Sequence, residues 1–269
     1  MGSRGARVAK SSAIPYAFRG RGLIGVLSHL SSIVLGDAKF NRSASSIDMR
    51  HANLNFSKSL LELLLQACPK KSKKEIDTAL KEAQIQIKRL PSGLPGDSIF
   101  PEQWDSGIEM QILLYCLIRL TKPNVVIETG TANGKSTSAI CSALAKNRFG
   151  HAWSFDVLES TAPLVNDNHR KFLTLVKTDG KSSTLKNEIL KIKSKEGFSI
   201  FLHDSDHSYP NQFSDYEIAR TLGFDLILSD DVDASLAFCD FAKAVGSVLL
   251  DAPKFIGLVS TSAISETSK

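Results

Sequence analysis

Two stretches concentrate acid–base and metal-binding side chains: His203-Asp204-Ser205-Asp206-His207-Ser208-Tyr209 and Ser229-Asp230-Asp231-Val232-Asp233. Carboxylates this close repel one another, and that raises their pKa unless a cation or a proton intervenes. Hard oxygen ligands of this kind suit Mg²⁺, which binds through a few carboxylates and keeps some waters. A substrate hydroxyl that replaces one of those waters has its pKa drawn toward neutrality. His207 lies close enough in sequence to serve as general base. The competing readings are bland ones: Asp230, Asp231 or Asp233 capping a helix that starts near Ser235, and His207 as a structural hydrogen-bonding residue. A zinc site fits less well. His203 and His207 are four apart, but Asp204 stands where H-E-x-x-H needs Glu, and Pro210 argues against a helix there.

A third stretch, Val125-Val126-Ile127-Glu128-Thr129-Gly130-Thr131-Ala132-Asn133-Gly134-Lys135-Ser136-Thr137, reads as a buried strand, a glycine turn and the start of a helix. Gly130 and Gly134 permit positive φ and close approach of a ligand to the backbone. The helix start points N–H groups at whatever lies above the strand, which suits a nucleotide-like ligand. Two phosphate-binding patterns fail here. For a P-loop, Gly134-Lys135-Ser136 is right, but the first glycine would have to be residue 129, which is Thr129. The dinucleotide pattern G-x-G-x-x-G meets Ala132 at its second glycine. A tight strand-to-helix turn with no ligand is the remaining alternative.

These stretches need a scaffold, and the pattern of the chain supplies one. Strands are predicted at 125–127, 152–157, 172–177, 198–203 and 225–229, with two short final ones at 248–250 and 255–259. Helices are predicted at 106–120, 162–171, 184–194, 212–222 and 235–245. Such alternation means a doubly wound, mostly parallel α/β sheet of Rossmann type, whose ligands sit beyond the carboxyl ends of the strands. Asp156 stands at one such end and can accept from ribose hydroxyls; Asp179, in an Asp-Gly turn, is placed either to accept from an adenine amino group or simply to make the turn. Upstream, helices are predicted over 57–67 and 72–90, the second with Ser72 and Glu75 as a capping box. They are expected to form a lid, a dimer surface or plain packing. Pro91, Gly93, Pro95 and Gly96 mark a linker, so the expected division is an extension over 1–95 and a catalytic domain over 96–269.

At 269 residues, 42% apolar and 23% charged, the chain can bury a full core. A net charge of +5, much of it in the N-terminal third, makes no basic stripe for nucleic acid. No apolar run reaches the roughly 18 residues of a membrane span. Cys68, Cys116, Cys141 and Cys239 lack C-x-x-C spacing and read as reduced core residues, which points to the cytoplasm. Met1 to Gly36 holds five basic and no acidic residues, as a targeting segment would. Without a cleavage pattern after it, it reads as an accessory N-terminus.

Glu128-Thr129-Gly130-Thr131-Ala132-Asn133-Gly134 resembles the first motif of class I S-adenosylmethionine (SAM) methyltransferases. Trp104-Asp105-Ser106-Gly107, Val126 to Gly130, Phe201 to Tyr209, and Leu228 to Asp233 followed by Ala237-Phe238 together resemble the Methyltransferase-24 type. That group includes, or lies near, cephalosporin hydroxylase-like proteins and macrocin-type sugar O-methyltransferases. The resemblance covers about 100–259. It implies a SAM-dependent enzyme that methylates a hydroxyl of a small-molecule acceptor. It places SAM at Glu128, Gly130, Thr131, Gly134, Ser136, Asp156 and Asp179, Mg²⁺ at Asp204, Asp230 and Asp231, and the chemistry at Asp204 and His207. Thr221-Leu222-Gly223-Phe224 departs from the group's Pro-Gly-Gly turn, so the acceptor is not carried over. Two other functions stay open: a P-loop-like nucleotide hydrolase using Lys135, Ser136 and Asp230, and a non-catalytic scaffold with the same fold.

Overall fold

The computed structural model describes residues 55–91, 93, 98, 100–159, 161–193, 196–245, 248–251 and 255–261. The expectations for residues 1 to about 52, and for most of the linker, lie outside them. The described elements all fall in one compact unit, Ile47–Lys269.

Eight strands form one sheet. They are β1 (Asn55–Ser57), β2 (Val125–Thr129), β3 (His151–Asp156), β4 (Leu173–Lys177), β5 (Ser199–His203), β6 (Leu226–Ser229), β7 (Val248–Asp251) and β8 (Phe255–Ser260). Their order is β1-β7-β8-β6-β5-β2-β3-β4. All neighbours run parallel except β8, which is antiparallel to both β6 and β7. The chain winds from β2 out through β3 to β4, then returns to β5 on the other side of β2. The carboxyl ends of β2 and β5 therefore flank the crevice where open α/β sheets take their ligands.

The helices are α1 (Leu60–Ala67), α2 (Lys73–Ile87), α3 (Ile108–Thr121), α4 (Lys135–Asn147), α5 (Asp167–Arg170), α6 (Ser182–Ile192), α7 (Tyr209–Thr221) and α8 (Ala237–Val245). Successive strand residues feed two cores. Val126, Ile200, Leu202 and Leu228 pack with α1 to α4, whereas Ile127, Phe201 and Ile227 pack with α6, α7 and α8. Burial on both faces is why these strands are continuous apolar runs without alternation.

α1 and α2 are integral to the first core. Leu63, Leu64, Ile76 and Ala83 are fully buried there, and each large apolar side chain contributes about 1.5–3 kcal/mol. Capping adds less. Ser59 accepts from the Glu62 amide, and Ser72 and Glu75 form the expected capping box, worth roughly 0.5–2 kcal/mol.

Three elements differ from expectation. β1 is too short to show a period; it is a strand because Asn55 to Ser57 pair in parallel with Val248 to Leu250. The helix expected over 162–171 shrinks to α5. The Ala162 amide bonds the Ala132 carbonyl and the Leu164 amide that of Asn133, so this stretch is fastened to the glycine turn instead. α7 starts three residues before the expected 212, because Pro210 sits in its first turn, where the lost N–H costs nothing. Among the described residues, no helix is long and apolar enough to cross a membrane. All four cysteines are buried and none is in a disulfide. Burial pushes the Cys68 thiol up to about 11 and Cys116 up to about 12, which leaves both unreactive.

Ser72→Ala is expected to lower unfolding free energy by about 1 kcal/mol in urea titration, with the fold retained; no loss would mean the cap is idle.

Candidate functional site

The glycine turn fixes the site. After β2, Gly130 takes φ +85°, and a Cβ there would lie 1.9 Å from the Asp204 carbonyl oxygen. Gly134 takes φ +86°, and its Cβ would lie 2.8 Å from the Ala162 Cα. Both glycines are thus demanded by protein backbone: one by the end of β5, the other by the 161–165 stretch.

Asp156 leaves β3 beside this turn. Its Oδ2 accepts from the Thr131 and Ala132 amides at 2.9 and 3.1 Å, and its Oδ1 from the Leu158 amide at 2.9 Å. Each carboxylate oxygen can accept twice, so Oδ1 retains a lone pair. Val157, next in the chain, is an exposed apolar side chain. A carboxylate with spare acceptor capacity beside an apolar surface fits the ribose and base of a nucleoside.

Glu128 lies on the same face of the sheet, under α4. Thr137 and Ser154 donate to its Oε2 at 2.7 and 2.5 Å, while Oε1 is buried with no hydrogen bond. Burial holds its pKa above the ordinary value, against the opposing hydroxyls of Ser154, Ser136 and Thr137. Thr131 is buried too, with its hydroxyl on Ser154 at 2.7 Å. Of the residues assigned to SAM, Glu128, Thr131 and Ser136 therefore build the floor of the turn. Asp179 is exposed. It accepts from the Lys181 amide, which together with the Lys181 and Thr184 side chains holds its carboxyl down to about 2. It shapes the entry to α6.

Lys135, the residue a P-loop would aim at phosphate, is committed elsewhere. Its Nζ lies 3.2 Å from Asp105 Oδ2, and the Asp105 side chain is 3% exposed. Asn133 donates to Asp105 Oδ1 at 3.0 Å. The Trp104-Asp105-Ser106-Gly107 stretch is thereby clasped to the glycine turn. This pairing counts against the nucleotide hydrolase reading.

The two acidic stretches meet beyond β5 and β6. The Asp204 amide bonds the Thr129 carbonyl and the Asp230 amide that of His203. His207 Nε2 lies 4.0 Å from Asp204 Oδ1 and 3.8 Å from Asp231 Oδ2. Asp231 sits at φ +45°, a conformation that costs a non-glycine residue on the order of 1–3 kcal/mol and clusters at functional sites. Asp230 is 1% exposed. Asp206 accepts from the Ser208 amide and hydroxyl at the start of α7, outside this group.

His203 belongs to a separate buried pair. Its Nδ1 lies 2.9 Å from Asp215 Oδ2, and its ring stands edge-on to that of His207 at 5.5 Å. The two histidines do not share a zinc geometry. No group of three or more His, Cys, Asp or Glu among the described residues is gathered to hold a metal ion. Asp204 and Asp231 both reach toward one imidazole nitrogen, so the side chains as placed do not fit Mg²⁺.

Asp105, Gln212 and Asp215 were not singled out for the site by sequence reasoning. A signal existed for two of them: Gln212, Asp215, Tyr216 and Ala219 share the buried face of α7, and polar residues on a buried helical stripe mark a network.

Residues 127–222 match the Methyltransferase-24 family model, described as a methyltransferase domain. Over that stretch the chain is similar to this family. The match runs from β2 through α7, taking in the glycine turn, Asp156, Asp204 and His207; Asp230 and Asp231 lie beyond it. No curated protein matches significantly. Among solved structures, the chain resembles an O-methyltransferase from Bacillus cereus in complex with S-adenosylhomocysteine (14% identity, 76% of this chain and 97% of that one, TM-score 0.45). It also resembles the O-methyltransferase TomG from Streptomyces achromogenes in complex with SAM (13%, 71% and 91%, 0.48). A third is the methyltransferase PaMTH1 from Podospora anserina, bound to S-adenosylhomocysteine (14%, 68% and 95%, 0.44).

The raised pKa of Glu128 makes a signed prediction. The folded state binds a proton that the unfolded state releases, from the ordinary carboxylate value up to the raised one. Stability therefore falls as pH rises through that window. Glu128→Gln is expected to flatten the decline in unfolding free energy above the ordinary carboxylate range. An unchanged slope in urea titrations across pH would contradict it.

Proposed function

We propose that the protein transfers the methyl group of SAM to a hydroxyl of a small-molecule acceptor, with the Asp204, His207 and Asp231 group taking the hydroxyl proton. The observation that carries this reading is the placement of that group on the residue that closes the glycine turn: the Asp204 backbone lies against Gly130. Cofactor turn and acid–base group are thus one surface.

Bound SAM supplies an electrophilic methyl on a sulfonium. The chain's residues do the rest. Asp156 accepts from the ribose hydroxyls through its free Oδ1 lone pair. The 161–165 stretch and the Asp105–Lys135 clasp hold the turn rigid, so the reacting atoms are positioned before the reaction begins. Asp204, Asp230 and Asp231 give this end of the sheet a negative potential, which favours a cationic sulfonium over the neutral thioether it becomes. As the acceptor oxygen bonds to carbon, its proton passes to the acidic group. The Mg²⁺ that the family resemblance implies would require His207 to leave its place between Asp204 and Asp231. No step is therefore assigned to it. A non-catalytic scaffold of the same fold would have no use for a left-handed Asp231 beside an imidazole.

Calorimetry on the folded protein is expected to show SAM and S-adenosylhomocysteine binding, weakened about tenfold by Asp156→Asn, or ~1.4 kcal/mol. Failure to bind either compound would overturn the reading. With an acceptor in hand, Asp231→Asn is expected to cut kcat about 10²–10⁴-fold, the usual size of acid–base catalysis, a far larger change than the loss in SAM affinity from removing one of the three nearby charges. Full activity in that variant would remove Asp231 from the chemistry.

A further inference from the structure

Methyl transfer gives no role to the lysine cluster Lys70-Lys71-Ser72-Lys73-Lys74. The cluster leads into α2, and Lys71 and Lys74 line a cavity of about 550 Å³ between the start of α2 and the end of α3. Cavities of this size hold small organic molecules. This one lies far from the acidic site. α3 has 14 residues and so runs about 21 Å. It starts beside the Asp105 clasp on the glycine turn and ends at the cavity, where the chain enters the amino end of β2.

The charges around the cavity do not cancel. Lys71, Lys74, Arg119 and Lys122 supply four positive charges against two negative ones from Glu75 and Glu82, so two positive charges are in surplus. Both carboxylates are already engaged. Glu75 completes the α2 capping box and lies 3.5 Å from Lys71 Nζ. Glu82 accepts from the Tyr115 hydroxyl at 2.7 Å and from Arg119 Nε at 3.1 Å. Arg119 also gives Nη2 to Glu82 and Nη1 to Asn147. A guanidinium has five N–H groups, so two of them are left over among the described residues. Lys74 and Lys122 are exposed, and among the described residues neither pairs with a carboxylate. The floor beneath these cations is apolar. Ala79 and Leu120 are buried there, and the lysine stems add methylene surface.

We infer that this cavity is a second binding site, for a small organic phosphate ester whose dianionic head is taken by Lys74, Lys122 and the two remaining N–H groups of Arg119. The apolar body of the ligand lies on Ala79 and Leu120. Ammonium and guanidinium groups are the common donors to phosphate oxygens. A surplus of two positive charges matches a dianion better than a monocarboxylate, and the apolar floor favours an ester over inorganic phosphate.

Phenyl phosphate is the probe. At about pH 8 a phosphate monoester, with a second pKa of about 6, carries two negative charges. Amide ¹H–¹⁵N spectra of the full chain, with S-adenosylhomocysteine present, are expected to show saturable shifts at residues 71–79 and 119–122. Added salt is expected to weaken them. Phenyl phosphate is expected to bind more tightly than either benzoate or inorganic phosphate. Lys74→Met combined with Lys122→Met is expected to raise its Kd about tenfold; Lys74→Gln alone, with a smaller rise, serves if the pair does not fold. Three results would overturn the inference: no saturable shift at these residues with millimolar phenyl phosphate, binding no tighter than that of benzoate or inorganic phosphate, or a Kd unmoved in the folded variants. SAM calorimetry on the same samples reports separately on the methyltransferase reading.

Discussion

The closest constraint in the molecule is the meeting of Gly130 with the carbonyl of Asp204. No side chain fits between them, and the Asp204 amide is bonded to Thr129 in the same place. The last residue of β2 and the first residue after β5 are therefore locked together at the topological switch of the sheet. Whatever binds over the glycine turn is next to the acidic side chains that follow β5 and β6. The order of strands supplies this adjacency; a helix-rich scaffold would have to build it from loops.

Buried charge is handled differently on the two faces of the sheet. On the α4 face, Glu128 is surrounded by hydroxyls of Thr137 and Ser154 and has no cation. It answers burial by holding its proton more tightly. On the α7 face, His203 and Asp215 pair with each other out of solvent. At the turn, Lys135 and Asp105 pair almost as deeply. Removing one member of such a pair leaves an uncompensated charge and costs about 3–5 kcal/mol. These groups hold the frame, and Asp156, His207 and Asp231 stand partly exposed at its rim.

Much of this was legible in the sequence. The β2 run and the apolar faces of α2 and α3 fixed the layers, because burial on one or both faces writes itself into spacing. The acidic stretches were placed at strand ends by the alternation alone, and the structure brings Asp204 and Asp231 to one imidazole. What the sequence could not show was direction. Glu128 stands one residue before the end of β2 and Asp156 ends β3, on the same face of the sheet, yet one lies under α4 against hydroxyls and the other is met at the rim by the Thr131, Ala132 and Leu158 amides. Lys135 looked like a phosphate ligand until Asp105, thirty residues upstream, was seen to claim it. β1 was invisible because its partner β7 lies some 190 residues later, and three residues carry no period.

The central claim is that one cleft holds the nucleoside and the acid–base group together. A crystal structure of the protein with S-adenosylhomocysteine tests this most directly. The account predicts ribose hydroxyls on Asp156 and the thioether sulfur turned toward Asp204, His207 and Asp231. A nucleoside bound away from Asp156, or a sulfur facing away from that group, would contradict it.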